Sequence, residues 1–220
     1  MNQATNHPAL LVELLTEELP PHALTRLADS FAQGIRTRLA ARQLLASEDA
    51  TADIYATPRR LAVRLPGVRA QADAREIQIK GPSVAVGLDA EGQPTKALIK
   101  WAEKQGAEVS ALTRGHDGKQ DVFYWSSTQP GAVLADVIGE IIVETLAQLP
   151  IPKFMTYQLA DGLTTVSFVR PAHRLVVLHG DAVLPCTVLG LAADRITDGH
   201  RFLSSGPITL ENADSYARQL

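Results

Sequence analysis

The side chains of this sequence best placed for chemistry are basic ones held in proline- or glycine-bounded segments. Arg59 and Arg60 follow Pro58 at a turn, with Arg64 on the same strand face as Arg60. Lys153, Arg170, His173, Arg174, His200 and Arg201 lie in similar loop segments. Arginine offers a planar fork of donors that matches phosphate or carboxylate in a bidentate way. The set therefore suits either phosphate anchoring or the bridging of carboxylates and carbonyls at a sheet edge, and spacing alone does not choose between them.

Other chemistries find no support. There is no G-x-S-x-G nucleophile elbow, and Ser126-Ser127 and Ser204-Ser205 read as residues of polar loops. Cys186 sits in an apolar stretch and reads as a core residue. His173, His179 and His200 lack the i, i+4 spacing of a helical metal site, and CxxC pairs are absent. "KGPS" (80–83) and "RGHDGK" (114–119) match neither a P-loop nor G-x-G-x-x-G. The adjacent Glu17 and Glu18 precede a helix, whose N-terminal dipole already accounts for acids there. No catalytic residue and no metal ligand set emerges.

Behind those residues stands an ordinary globular chain: 220 residues, 45% hydrophobic, 20% charged, net charge −3. The length fits one large domain or two small ones, and any internal boundary falls near residues 150–165. The mildly acidic balance argues against a dedicated basic nucleic-acid binder, so any RNA or DNA contact would need a local basic patch. A single cysteine precludes an internal disulfide and suits a reducing, intracellular compartment. No apolar run approaches the ~20 residues of a membrane span. The opening MNQATNHPALLVELL lacks a basic n-region and cleavage site. The expectation is a cytoplasmic protein without a membrane partner.

The elements that must position the basic residues are legible in outline. The apolar run Ala9–Leu15 predicts a buried strand. Leu24, Leu27, Ala28, Phe31, Ile35 and Leu39 recur at helical spacing after Pro20-Pro21, which suits a helix start. Asp53–Thr57 and Arg60–Leu65 predict strands joined at Pro58, the second half-buried by its alternation. A strand over Glu76–Lys80 should stop at Gly81-Pro82. Thr95 caps a helix running to Gln105, with Gly106 as its stop. Asp117-Gly118 marks a turn before a strand over Val122–Ser127, and Val133–Leu149 forms the second long amphipathic helix. Leu175–Leu178 and Val183–Leu189 flank His179-Gly180-Asp181 as a hairpin. Without a βαβ rhythm the fold class is α+β, with a mixed or antiparallel sheet and two long amphipathic helices.

Two segments stand out. "PIPKFMTY" (150–157) follows the second helix, and its prolines fix the exit direction. On that stiff frame Lys153 can project toward a phosphate or a neighbouring part of an assembly. At the other end, "PITLENADSYARQL" reads as a strand and then a helix capped by Asn212 or Asp214. The chain stops there within a first turn, which suggests a piece of something longer.

Taken together, "LLVELLTEELPPHAL" (10–24), "ATPRRLAV" (56–63), "KGPS" (80–83), "LPIPKFM" (149–155), "FVRPAHRLVVLHG" (168–180) and "GHRF" (199–202) resemble one family in its own order. That family is the β subunit of the bacterial heterotetrameric glycyl-tRNA synthetase, at its N-terminal end. Leu15, Thr156, Tyr157 and Arg174 depart from the family's usual residues. The resemblance implies a non-catalytic α+β region of a ligase, similar in outline to the B3/B4-type modules of other synthetase β chains. It implies partnership with an α subunit that uses ATP and Mg, with glycine tRNA, and with a second β subunit in an α2β2 assembly. No cofactor is expected in this region itself. On that reading Arg59, Arg60, Lys153, Arg170, His173, His200 and Arg201 are the candidate RNA contacts. Two alternatives stand beside it: a purely structural assembly module, and an editing-type aminoacyl-tRNA deacylase.

Overall fold

The computed structural model describes residues 7–151, 155–159, 162–200, 204 and 206–220. In chain order the elements begin with β1 (Leu10–Thr16), a 3₁₀ turn at Pro21–Ala23, α1 (Leu24–Ala41), β2 (Asp53–Thr57) and β3 (Arg60–Leu65). Next come β4 (Arg75–Ser83), α2 (Val84–Gly87), α3 (Lys96–Gln105), β5 (Thr113–His116) and β6 (Asp121–Gln129). After α4 (Leu134–Ala147) follow β7 (Met155–Gln158), β8 (Thr165–Phe168), β9 (Ala172–His179), β10 (Ala182–Val183) and β11 (Thr187–Val188). The last are β12 (Leu191–Asp194), β13 (Ile196–Asp198), β14 (Pro207–Thr209) and α5 (Tyr216–Gln219). The chain forms two compact units. One comprises the residues up to Ala72 together with those from Ala132 onward, and the other is Asp73–Gly131.

The larger unit is built on a sheet of order β11-β12-β9-β1-β3-β2, with β10 also paired to β9. β1 lies between antiparallel neighbours, so Val12 faces Val63 on one side and Val177 on the other. β12 runs parallel to β9, which makes the sheet mixed and the fold α+β, as the sequence predicts. All seven residues of β1 are buried, as expected of a central strand covered on both faces. One face (Leu10, Val12, Leu14, Leu61, Val63, Val177) packs on Phe31 and Ile35 of α1 and on Ile138 and Ile141 of α4. The other face (Leu11, Ala62, Val176, Leu178) is covered by Leu210, Ala213 and Tyr216. β3 is therefore not half-buried. Ala62, on the face the alternation assigns to solvent, is 1% exposed because the chain's last segment folds over it.

α1 and α4 approach closely at Gly34, where a Cβ would stand 2.6 Å from Thr145 Cγ2. The predicted β9 hairpin is present, with Gly180 at φ +60°. Its second arm ends at Val183, just before the donor-less Pro185, and does not run to Leu189. Leu189 and Gly190, both at positive φ, instead turn β11 into β12. Near the end of the chain the Asn212 side chain accepts from Ser215 N–H at 2.8 Å. Asp214 serves elsewhere, as an acceptor for Arg64.

The smaller unit is an antiparallel sheet of order β4-β6-β5 with α2 and α3 against it. Thr95 Oγ1 accepts from Leu98 N–H and Gly106 closes α3 in the left-handed region, both as the sequence predicts. β4 does not stop at Gly81-Pro82. It continues to Ser83 through a register irregularity, with Gly81 lying under Trp101, where a Cβ would meet the indole at 3.0 Å. Ser126 and Ser127 belong to strand β6 rather than to a loop, paired with Gln78 and Ile77. β5, which overlaps the stretch "RGHDGK", has no predicted counterpart and exists through its pairing with β6.

Candidate functional site

The segment "TEELP" leaves β1 at an irregularity in its pairing with β9, between Leu15 and Thr16. It is then clamped by two proline turns. Glu17 N–H donates to the Pro171 carbonyl at 2.8 Å, Leu19 N–H to the Pro58 carbonyl at 2.5 Å, and Thr16 N–H to the Arg59 carbonyl at 3.0 Å. Three stretches far apart in sequence (16–19, 57–60 and 170–173) are thus fixed side by side at one end of β1, β3 and β9. An open cavity of about 880 Å³ lies against them, lined also by Asp198–His200, Gly206-Pro207 and Leu220.

Arg59, Arg60, His173 and His200, four of the residues selected from sequence, line this cavity. Glu17 stands among them. Its Oε2 lies 3.3 Å from Arg59 Nη2 and its Oε1 2.9 Å from His173 Nε2. At 35% and 45% side-chain exposure the Arg59–Glu17 pair is wet, and such pairs contribute only about 0–1 kcal/mol. An incoming anion can therefore take Glu17's place at little cost. Arg170 lies off the cavity wall, with its Nε donating to the Glu18 carbonyl at 3.0 Å. Lys153 and Arg201 fall outside the described residues.

Arg60 has a different environment. Its Nε lies 2.5 Å from Oε1 of Glu13, a carboxylate with no exposed surface in the middle of β1. Its Nη2 donates to the Asp198 carbonyl and reaches Thr197 Oγ1 at 3.4 Å. Thr197 Oγ1 and Tyr216 Oη both donate to Glu13 Oε1, at 2.9 and 2.8 Å, while Oε2 is buried with no hydrogen-bond partner among the described residues. Burial pushes the Glu13 carboxyl above its ordinary value, against the pull of Arg60 and of the two hydroxyls. Burial and the neighbouring Glu13 charge push the Tyr216 phenol up as well. Next to this network, Arg174 Nε pairs with Asp198 Oδ2 at 3.0 Å, so one of the residues that departs from the family pattern has a defined partner.

Sequence reasoning missed both acids that organise the site. Glu17 does not serve the dipole of the following helix; it bridges Arg59 and His173. Glu13 carried a readable signal, since a lone carboxylate inside "LLVELLT" must find a partner once that strand is buried on both faces. Among the described residues no group of three or more His, Cys, Asp or Glu side chains could hold a metal ion. Among the described residues no helix is long and apolar enough to cross a membrane.

Comparison with known proteins points the same way as the motifs. A family model described as glycyl-tRNA synthetase beta subunit matches residues 10–220. A protein of Leptothrix cholodnii named "Glycine--tRNA ligase beta subunit" is 50% identical over 219 residues, covering 98% of this chain and 31% of the relative. A protein of the same name from Delftia acidovorans is 49% identical over 220 residues, with 98% and 31% covered. One from Neisseria meningitidis serogroup C is 47% identical over 213 residues, with 96% and 30% covered. The chain thus spans less than a third of the length of the curated relatives it matches. With the family model matched along nearly its whole length, the chain belongs to the glycyl-tRNA synthetase beta subunit family.

Proposed function

We propose that this chain is the N-terminal region of the β subunit of a cytoplasmic, α2β2 glycine–tRNA ligase, and that it engages glycine tRNA without doing chemistry itself. On this reading ATP and Mg are used by the α subunit, and a second β subunit completes the assembly. The observation that carries the reading is the convergence of Arg59, Arg60, His173 and His200 on one cavity. Arg59 and His173 are each held by the solvent-facing Glu17, so an RNA phosphate can replace that carboxylate and gain charge-assisted hydrogen bonds from both. Arg60 contributes charge from the wall and stays bound to Glu13. Arg170, off the cavity wall, remains a candidate contact, as do Lys153 and Arg201 on the strength of the sequence alone.

The test is binding of the chain to glycine tRNA and to a non-cognate tRNA at low and near-physiological salt. Arg59→Ala and His173→Ala should each weaken binding, and Arg59→Ala should flatten the salt dependence by about one unit of slope. Unchanged affinity and slope in both variants would remove the cavity from the RNA-binding surface.

A specific observation favours a second reading. Glu17, Glu18 and Asp198 line the same cavity and offset its arginines, which suits a polar protein segment of the α subunit better than a polyanion. Loss of α-subunit association in Arg59→Ala, with tRNA affinity unchanged, would select this assembly role.

A further inference from the structure

In the smaller unit Lys96, Lys100 and Lys104 succeed one another at i, i+4 and i+8 along α3. All three are exposed, and none of their ammonium groups forms an ion pair or hydrogen bond with a described residue. At 1.5 Å per residue each step advances about 6 Å, with a small rotation, so the ammonium groups form a gently wound ridge. The ridge lies opposite the buried residues Leu98 and Ala102. Glu103 on its flank is the helix's only acid and also makes no ion pair with a described residue, so three lysines stand against one glutamate. Ile99, 39% exposed, borders the same face.

The arrangement breaks a local rule. Lys96 is the first residue of the helix, and the first turn contains no acid. A cation there opposes the helix dipole, and like charges at i, i+4 repel one another. Several arginines of the larger unit differ in this respect: Arg38, Arg59, Arg60, Arg64 and Arg174 each have a carboxylate partner. Local conflicts of this kind concentrate where a surface serves an external partner.

We infer that the Lys96–Lys100–Lys104 ridge of α3 is a second, sequence-independent RNA contact that follows the phosphate backbone of a tRNA. Charge complementarity and the repeat select that occupant, because successive phosphates along one strand recur at a comparable interval. The inference rests on the reading that tRNA is what this chain engages, but it uses a separate unit and different residues.

The test compares the intact chain, the triple variant Lys96→Gln/Lys100→Gln/Lys104→Gln, the triple variant with arginine at the same positions, and Arg59→Ala. Glutamine and arginine both retain helix propensity, and circular dichroism with thermal melting verifies folding. Each protein is titrated with glycine tRNA between low and near-physiological salt, and separately with poly-glutamate. The glutamine variant should lose about two to three units of salt slope and at least about tenfold in affinity at low salt. The arginine variant should match the parent. An unchanged slope in the glutamine variant overturns the ridge, even where Arg59→Ala weakens binding and the cavity reading stands. The reverse pattern overturns the cavity and keeps the ridge. Poly-glutamate binding that depends on the lysines while tRNA binding does not would assign the ridge to an acidic protein, and the absence of tRNA binding by the parent would overturn both readings.

Discussion

Tyr216 Oη donates to Glu13 Oε1 at 2.8 Å across 203 residues of sequence, joining the end of the chain to the middle of its central strand. Tyr216 is buried, its ring meets Tyr55 edge-on at a centroid distance of 5.1 Å, and it caps the second hydrophobic layer. Tyr216→Phe keeps the packing but leaves Glu13 short of a donor. It should destabilise the larger unit by about 1–3 kcal/mol in urea unfolding. Glu13→Ala also strands the Arg60 guanidinium and the Tyr216 hydroxyl and should cost more, about 3–5 kcal/mol.

Glu13 also gives stability a pH dependence whose sign is fixed. Its folded-state pKa is raised from 4.5, so above that value the folded chain retains a proton that the unfolded chain has released. Stability contributed by this group then falls as pH rises through the window between the ordinary and the raised value. Glu13→Gln keeps an acceptor for Thr197 and Tyr216 and removes the ionisation. Unfolding midpoints measured from pH 4 upward should fall less steeply for Glu13→Gln than for the parent over that window.

Glu17 competes with any anion for Arg59 and His173. Glu17→Gln should therefore strengthen tRNA binding at fixed salt, about tenfold where release of both groups counts fully, while Arg59→Ala weakens it. Stability should change by no more than about 1 kcal/mol in either variant, since the pair is largely solvated. Weaker tRNA binding by Glu17→Gln would mean that the carboxylate positions the site rather than masking it.

The contact between the two long helices leaves no room for a larger residue at Gly34. Gly34→Ala would place its methyl 2.6 Å from Thr145 Cγ2, and Thr145 is itself buried and bonded back to the Ile141 carbonyl at 2.7 Å. The helices must separate or Thr145 must turn. A loss of about 1–3 kcal/mol is expected in denaturant unfolding, and Gly34→Ala combined with Thr145→Ala should recover part of it.

Features whose causes lie within a few residues were legible. Thr95, Gly106 and the buried pair Leu98 and Ala102 define α3 without reference to the rest of the chain, and Pro58 with the alternation after it defines the β2–β3 hairpin. The site was legible only by half. The basic residues stood out by type, and four of them meet, but their counterions could not be found by spacing because Glu17 reaches His173 across 156 residues. The same limit hid β5, a four-residue strand with a glycine that owes its conformation to β6. It also hid the covering of Ala62, which depends on how the far end of the chain returns to β3.

The crossing between the two units has one more implication. Ala72 N–H donates to the Ala132 carbonyl at 2.9 Å, and Leu134 N–H to the Ala70 carbonyl at 2.8 Å, so the chain departs from the larger unit and rejoins it at a zipped pair of backbones. Everything from Asp73 to Gly131 is topologically a single outsized hairpin loop. Such a loop can lengthen, shrink or be exchanged without shifting the register of any strand that frames the cavity. The two candidate RNA-contact surfaces are thereby free to change independently of one another.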